Sequence, residues 1–226
     1  MIYIICFLII IVIYLLYKSY IFTEPFATTN NSNEISIILL GDSILKNNHY
    51  VKPVNSIEYI LRQNTNIQVH CLATDGAFIA DVYKQIDEVP TMLNNKQTII
   101  FLSIGGNDNL KHMNKNKNAD TDILFQQYEK LLSDLQIKFD KCKIVLLNLY
   151  TPPNINKLIK NDTITDVIKA WNNKLDGYLN NNNLNIHNVE LIDVNSLLYE
   201  KADFVSDYEP SEVGGHKIAT AILNKL

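Results

Sequence analysis

Three short stretches of this 226-residue chain carry side chains suited to acyl transfer: Gly41-Asp42-Ser43, Thr74-Asp75-Gly76-Ala77 and Gly105-Gly106-Asn107-Asp108. A serine on a sharp turn can be presented as a nucleophile. A glycine N–H and an asparagine amide are the kind of donors that stabilise an oxyanion. Each stretch alone reads as an ordinary turn or helix cap, because Gly, Asp, Ser and Asn are favoured there on backbone grounds. What turn chemistry does not explain is their occurrence in order at the ends of three successive strands.

Those strands are legible as β-branched, nearly continuous apolar runs, the signature of a sheet buried on both faces: residues 35–41, 67–73, 98–104, 143–150 and 189–194. Helical spacing lies between them. It is clearest at Ile164, Val167, Ile168, Trp171, Leu175, Tyr178 and Leu179 after a capping Asp162, and at Ile123, Leu124, Tyr128, Leu131, Leu132 and Leu135. A last helix is expected to start at Pro210 and Ser211. Such a βαβ series predicts an α/β fold with a five-stranded parallel sheet between helical layers. Sites in such folds lie beyond the carboxyl ends of the strands, where the three stretches sit.

With LLGDSIL, DGA and IGGND at those positions, the sequence resembles the SGNH, or GDSL-type, hydrolase family over about residues 35–226, and NLYTPP and EPSEVGGHKIA look like later family segments. The resemblance implies a flavodoxin-like three-layer domain and ester hydrolysis. It makes Ser43 the nucleophile and, through its N–H, one oxyanion donor. Gly76 N–H and the Asn107 amide are the other donors, and Asp42 and Asp108 hold loop geometry.

The last block departs from the family pattern. Where the family has Asp-x-x-His before a proline and a terminal helix, this chain has Ser206 and Glu209 before Pro210. A carboxylate with an ordinary pKa near 4.3 is a much weaker proton acceptor at neutral pH than an imidazole near 6.5, although burial can raise it. Three readings stay open. Glu209 is itself the base; or His112, His49 or His216 replaces the lost histidine; or catalysis is impaired and the pocket binds an acylated glycan or lipid. Asp207 could orient a neighbouring group, or simply help to start the final helix. A phosphate-binding or receiver-type domain using Asp42 is a further rival, which leaves Gly76 and Asn107 without a role.

The remaining features bound the setting. Residues 2–17 are uninterrupted apolar or aromatic and the run resumes at Tyr20, so residues 1–22 are expected to form a single-pass membrane anchor, with a cleaved signal peptide as the rival. Lys18 and Glu24 are too few to set its orientation. The polar stretch 23–34 reads as a tether and residues 35–226 as the domain. A net charge of −4 argues against a nucleic-acid partner. Cys6, Cys71 and Cys142 read as free thiols, and the Asn-rich run 111–120 reads as a surface loop. No metal-ligand spacing, dinucleotide fingerprint or phosphate loop occurs, so no cofactor is expected. The expected partner is a small-molecule, lipid or glycan ester.

Overall fold

A computed structural model describes residues 34–226 apart from 65, 116–120, 154–163, 182–187 and 207. The expected anchor, nearly all of the tether, Cys6, Asp162 and Asp207 lie outside the described residues. Among the described residues no helix is long and apolar enough to cross a membrane.

Five parallel strands form the sheet: β1 (Ile35–Gly41), β2 (Ile67–Cys71), β3 (Thr98–Ser103), β4 (Lys143–Leu147) and β5 (Val189–Ile192). Their spatial order is β2-β1-β3-β4-β5. The chain therefore reverses direction across the sheet between β1 and β3, the point where a crevice opens at the strand ends. Alternation along each strand divides the core in two. Ile38, Leu40, Ile100, Leu102, Ile144 and Leu146 face helices α2 (Ile79–Glu88), α4 (Thr121–Lys138) and α5 (Ile164–Leu179). Ile37, Leu39, Ile99, Phe101, Val145 and Leu147 face α1 (Ile57–Arg62) and α7 (Glu212–Leu223). Both sides of every central strand are thus covered, which is why these strands read as continuous apolar runs.

Two expectations need correction. Residues 111–115 belong to helix α3 (Gly106–Lys115) rather than to a loop. Leu110 and Met113, three apart, give this otherwise polar segment a face that packs on the core. The last helix begins one step later than expected: Ser211 caps it by accepting from Val213 and Gly214 N–H, while Pro210 pairs with Phe204 in a small hairpin, β6 (Phe204–Val205) and β7 (Glu209–Pro210). A four-residue helix, α6 (Val194–Leu197), leads from β5 towards that hairpin.

Gly41 ends β1 where the chain must turn toward β3. Its φ is +122°, and a Cβ there would lie 1.8 Å from the Ser103 carbonyl oxygen. The close approach lets Asp42 N–H donate to that same oxygen at 3.1 Å. Replacing Gly41 by Ala is expected to cost about 3 kcal/mol or more, from backbone strain and a clash with main chain that cannot rotate away. Urea unfolding monitored by circular dichroism measures this, and a loss under about 1 kcal/mol would contradict the packing described.

Candidate active site

Asp42 and Ser43 follow the end of β1 in a tight turn: Leu45 and Lys46 N–H both donate to the Asp42 carbonyl. This turn presents Ser43, whose Oγ donates a hydrogen bond to Glu209 Oε1 at 3.1 Å. The two residues are 166 positions apart in the chain, and Glu209 arrives on the β6–β7 hairpin.

That hairpin is fastened on several sides. Val205 pairs with Glu209, and Ser206 takes a left-handed φ of +52° in the turn between them. The Tyr150 hydroxyl, just beyond β4, donates to the Tyr208 carbonyl at 2.6 Å, and its ring lies against Phe204. Beneath the hairpin, Asp203 is fully buried; it accepts from Tyr199 and Glu200 N–H and pairs with Lys217 at 2.7 Å. Ser211 donates through N–H to the Asp203 carbonyl and through Oγ to Ala202. Tyr150 lies within the NLYTPP stretch, whereas Asp203 carries no motif that would mark it in the sequence.

The second stretch is a four-residue turn closed by Ala77 N–H donating to the Thr74 carbonyl, with Gly76 at its third position and φ +72°. This is the type II geometry that favours glycine there. Among the described residues, the N–H groups of Ser43 and Gly76 have no hydrogen-bond acceptor. The Asn107 amide, on the first turn of α3, donates one N–H to the Ala77 carbonyl at 2.9 Å and so ties the third stretch to the second. A primary amide has a second N–H to offer. Asp108 accepts from the first N–H of α2, Ile79, at 3.1 and 3.3 Å.

Ser43, Asn107 and Glu209 line one cleft together with Asp42, Asn109 and Asn148, and its apolar wall comes from Ile44, Leu110, Leu149, Pro152, Ile164 and Ile168. Gly76 lines a neighbouring depression rather than this wall. Among the described residues, no lysine, arginine or histidine contributes to the cleft lining. The three candidate histidines stand apart from Ser43. His49 is exposed and faces Asp75 at 3.5 Å, His112 sits on α3, and His216 is exposed on α7 beside Asn55 and Val213. Of the four candidate bases, Glu209 alone contacts the serine among the described residues.

Burial tunes the acids. Glu209 is 5% exposed, and loss of solvation is the main reason its carboxyl is pushed up to about 7; the bond from Ser43 opposes this and the charge of Asp75 adds to it. Asp42, also buried, is pushed up to about 8, mainly by desolvation, with the Ile44 N–H opposing and Glu209 reinforcing. Asp108 rises to about 6, again chiefly through desolvation. These shifts have a consequence for stability. In the unfolded chain Asp42 ionises near pH 4, so between about pH 4 and pH 8 the folded state holds a proton that the unfolded state has released. Stability then falls as pH rises through that window. The melting temperature is expected to drop from pH 5 to pH 8, and to drop less in Asp42→Asn. Parallel curves for the two proteins would contradict this.

Residues 37–222 match the family model described as GDSL-like Lipase/Acylhydrolase. The chain belongs to that family. Solved structures similar to it include a lipolytic G-D-S-L protein from Veillonella parvula, 21% identical, covering 84% of this chain and 97% of that one with a TM-score of 0.64. A lipase/acylhydrolase from Enterococcus faecalis is 16% identical, with coverage of 84% and 94% and a TM-score of 0.57. The lipase Lip_vut3 from a goat rumen metagenome is also 16% identical, with coverage of 84% and 96% and a TM-score of 0.59. At these identities the structures share the fold. No curated protein matches the sequence. Membership of the GDSL-like family supports an esterase- or lipase-like hydrolase.

Proposed function

We propose that this GDSL-like domain hydrolyses carboxylic esters through an acyl intermediate on Ser43, with Glu209 as the general base. The observation that carries the reading is the 3.1 Å hydrogen bond from Ser43 Oγ to a buried carboxylate on a hairpin far away in sequence. A base must lie within about 2.6–3.2 Å of the proton it removes, and Glu209 meets that condition.

In the proposed sequence, Glu209 Oε1 takes the Ser43 proton as Oγ attacks the ester carbonyl carbon. The oxyanion that forms receives hydrogen bonds from Ser43 N–H, Gly76 N–H and the second Asn107 N–H, which become most favourable as negative charge develops. Protonated Glu209 then gives its proton to the departing alkoxide and the ester C–O bond breaks. Water enters, loses a proton to Glu209 and attacks the acyl carbon; Ser43 leaves with that proton and the carboxylic acid is released. A pKa near 7 suits Glu209 to both halves of this cycle, because the group can accept and return a proton at neutral pH.

The apolar wall formed by Ile44, Leu149, Ile164 and Ile168 suits an alkyl acyl group. The membrane part of the proposal, a single-pass anchor, rests on the apolar run of residues 2–17. Treating the folded protein with a fluorophosphonate probe and mapping the adduct tests the assignment of the nucleophile. A covalent phosphonyl group on Ser43 is the expected result. No adduct at any pH from 5 to 9 would overturn the proposal.

A further inference from the structure

We propose that Gln85 is a positioning residue for the oxyanion site, its side-chain amide holding the nucleophile strand and the Gly76 turn in one frame. This rests on the reading of Ser43 as nucleophile.

Gln85 lies on α2, 4% exposed, in a helix whose other buried residues are Ile79, Val82 and Ile86. A polar amide costs free energy in such a place unless its donors and acceptor are matched. Here they are. Gln85 Oε1 accepts from Gly41 N–H at 2.7 Å, Nε2 donates to the Gly41 carbonyl at 2.8 Å, and Nε2 also reaches Thr74 Oγ1 at 3.3 Å. The pairing of β1 with β2 stops at Leu39 opposite Cys71, whereas β1 continues to Gly41. On that side the Gln85 amide stands where a strand neighbour would, satisfying both polar groups of the Gly41 peptide.

The two residues it joins are the roots of the two main-chain oxyanion donors. Gly41 is two residues before Ser43, and Thr74 opens the turn that carries Gly76. The Gly41 carbonyl also accepts from Thr74 N–H at 2.9 Å, so strand end, turn and Gln85 form a closed set of hydrogen bonds. The rest of the turn is held separately, with Asp75 accepting from the Tyr50 hydroxyl and Ala77 accepting from Asn107. The relative placement of Ser43 N–H and Gly76 N–H is thus set jointly by the direct bond from Thr74 N–H to Gly41 and by the side-chain link through Gln85. Small displacements of such donors are costly, because their effect on a developing charge is realised only in a narrow geometry.

The test compares Gln85→Leu, Gln85→Glu and Thr74→Val with the unaltered protein, using a p-nitrophenyl ester well below each melting temperature. Gln85→Leu is expected to lower kcat about 10- to 100-fold with KM changed by less than about 2-fold. Thr74→Val, which removes the bond from Gln85 together with the Thr74 hydroxyl's own bond to the Leu72 carbonyl at an exposed residue, is expected to lower kcat a few-fold and keeps the test open if Gln85→Leu does not fold. Gln85→Glu supplies the readout that a purely structural role would not move. A protonated glutamic acid can accept from Gly41 N–H and donate to its carbonyl, whereas the carboxylate can only accept. Its kcat relative to the unaltered protein should therefore recover as pH is lowered, while the ratio for Gln85→Leu stays flat. A lowered melting temperature with kcat unchanged in all three, or flat ratios for both Gln85 variants, would overturn the proposal. The controls separate this outcome from failure of the nucleophile reading. If the unaltered protein hydrolyses nothing and takes no probe, the assignment of Ser43 falls and this inference with it. If the unaltered protein is active and Ser43→Ala is not, the Gln85 variants decide this inference alone.

Discussion

Ser43→Ala is expected to lower kcat for a p-nitrophenyl alkanoate by at least about 10⁴-fold, a loss of roughly 5 kcal/mol of transition-state stabilisation. Without Oγ there is no atom to carry the acyl group, and what remains is whatever the oxyanion donors and the cleft contribute to direct attack by water. The variant should lose no more than about 1–3 kcal/mol of stability, the usual cost of leaving one buried acceptor, here Glu209 Oε1, without its partner. Steady-state kinetics with an unfolding curve for the same preparation checks both halves. Retention of more than a tenth of the parental kcat would exclude the acyl-serine route.

The second large effect is expected at Glu209. Glu209→Gln keeps the shape of the side chain and removes its ability to take a proton, so kcat/KM should fall by about 10²- to 10⁴-fold, the usual range for a positioned base. Under the proposed mechanism the same residue sets the pH dependence of the parent. Activity requires the carboxylate, and with its pKa pushed up to about 7 the rate should rise with pH and reach half its plateau near pH 7. An exposed glutamate would place that midpoint near pH 4.3. In the proposed mechanism burial offsets the departure from the family's histidine, because it brings a carboxyl group into the range where an imidazole ordinarily works. The geometry asks nothing of the histidines: His49 faces Asp75, and neither His112 nor His216 contacts Ser43 among the described residues.

The parts of the fold that could be read ahead were those whose physics is local. The three central strands are buried on both faces, so their composition announces them, and the order of the three glycine-bearing stretches identifies the strand ends where they converge. Helix α3 was hidden because its apolar signal is reduced to Leu110 and Met113 among polar residues. The β6–β7 hairpin was hidden because each strand is two residues long, too short for any alternation to register.

In the site, Ser43 and Asn107 stand out by motif, and Glu209 could be named only as one option beside three histidines. Its pairing with Ser43 is a contact between residues 166 apart, made by a hairpin whose anchors, Tyr150, Asp203 and Lys217, come from three other segments. Gln85 gave no signal at all, since a single glutamine in an amphipathic helix reads as part of its solvent face. Only the pairing of β1 beyond the end of β2 shows why an amide belongs there.

The most direct test of the Ser43–Glu209 pair is the rate of fluorophosphonate labelling as a function of pH, in the unaltered protein and in Glu209→Gln. A single rise with a midpoint near pH 7 is expected in the first, and labelling at least about 10²-fold slower and without that rise in the second. Equal rates in the two proteins, or an unchanged midpoint after the substitution, would show that another group takes the proton from Ser43.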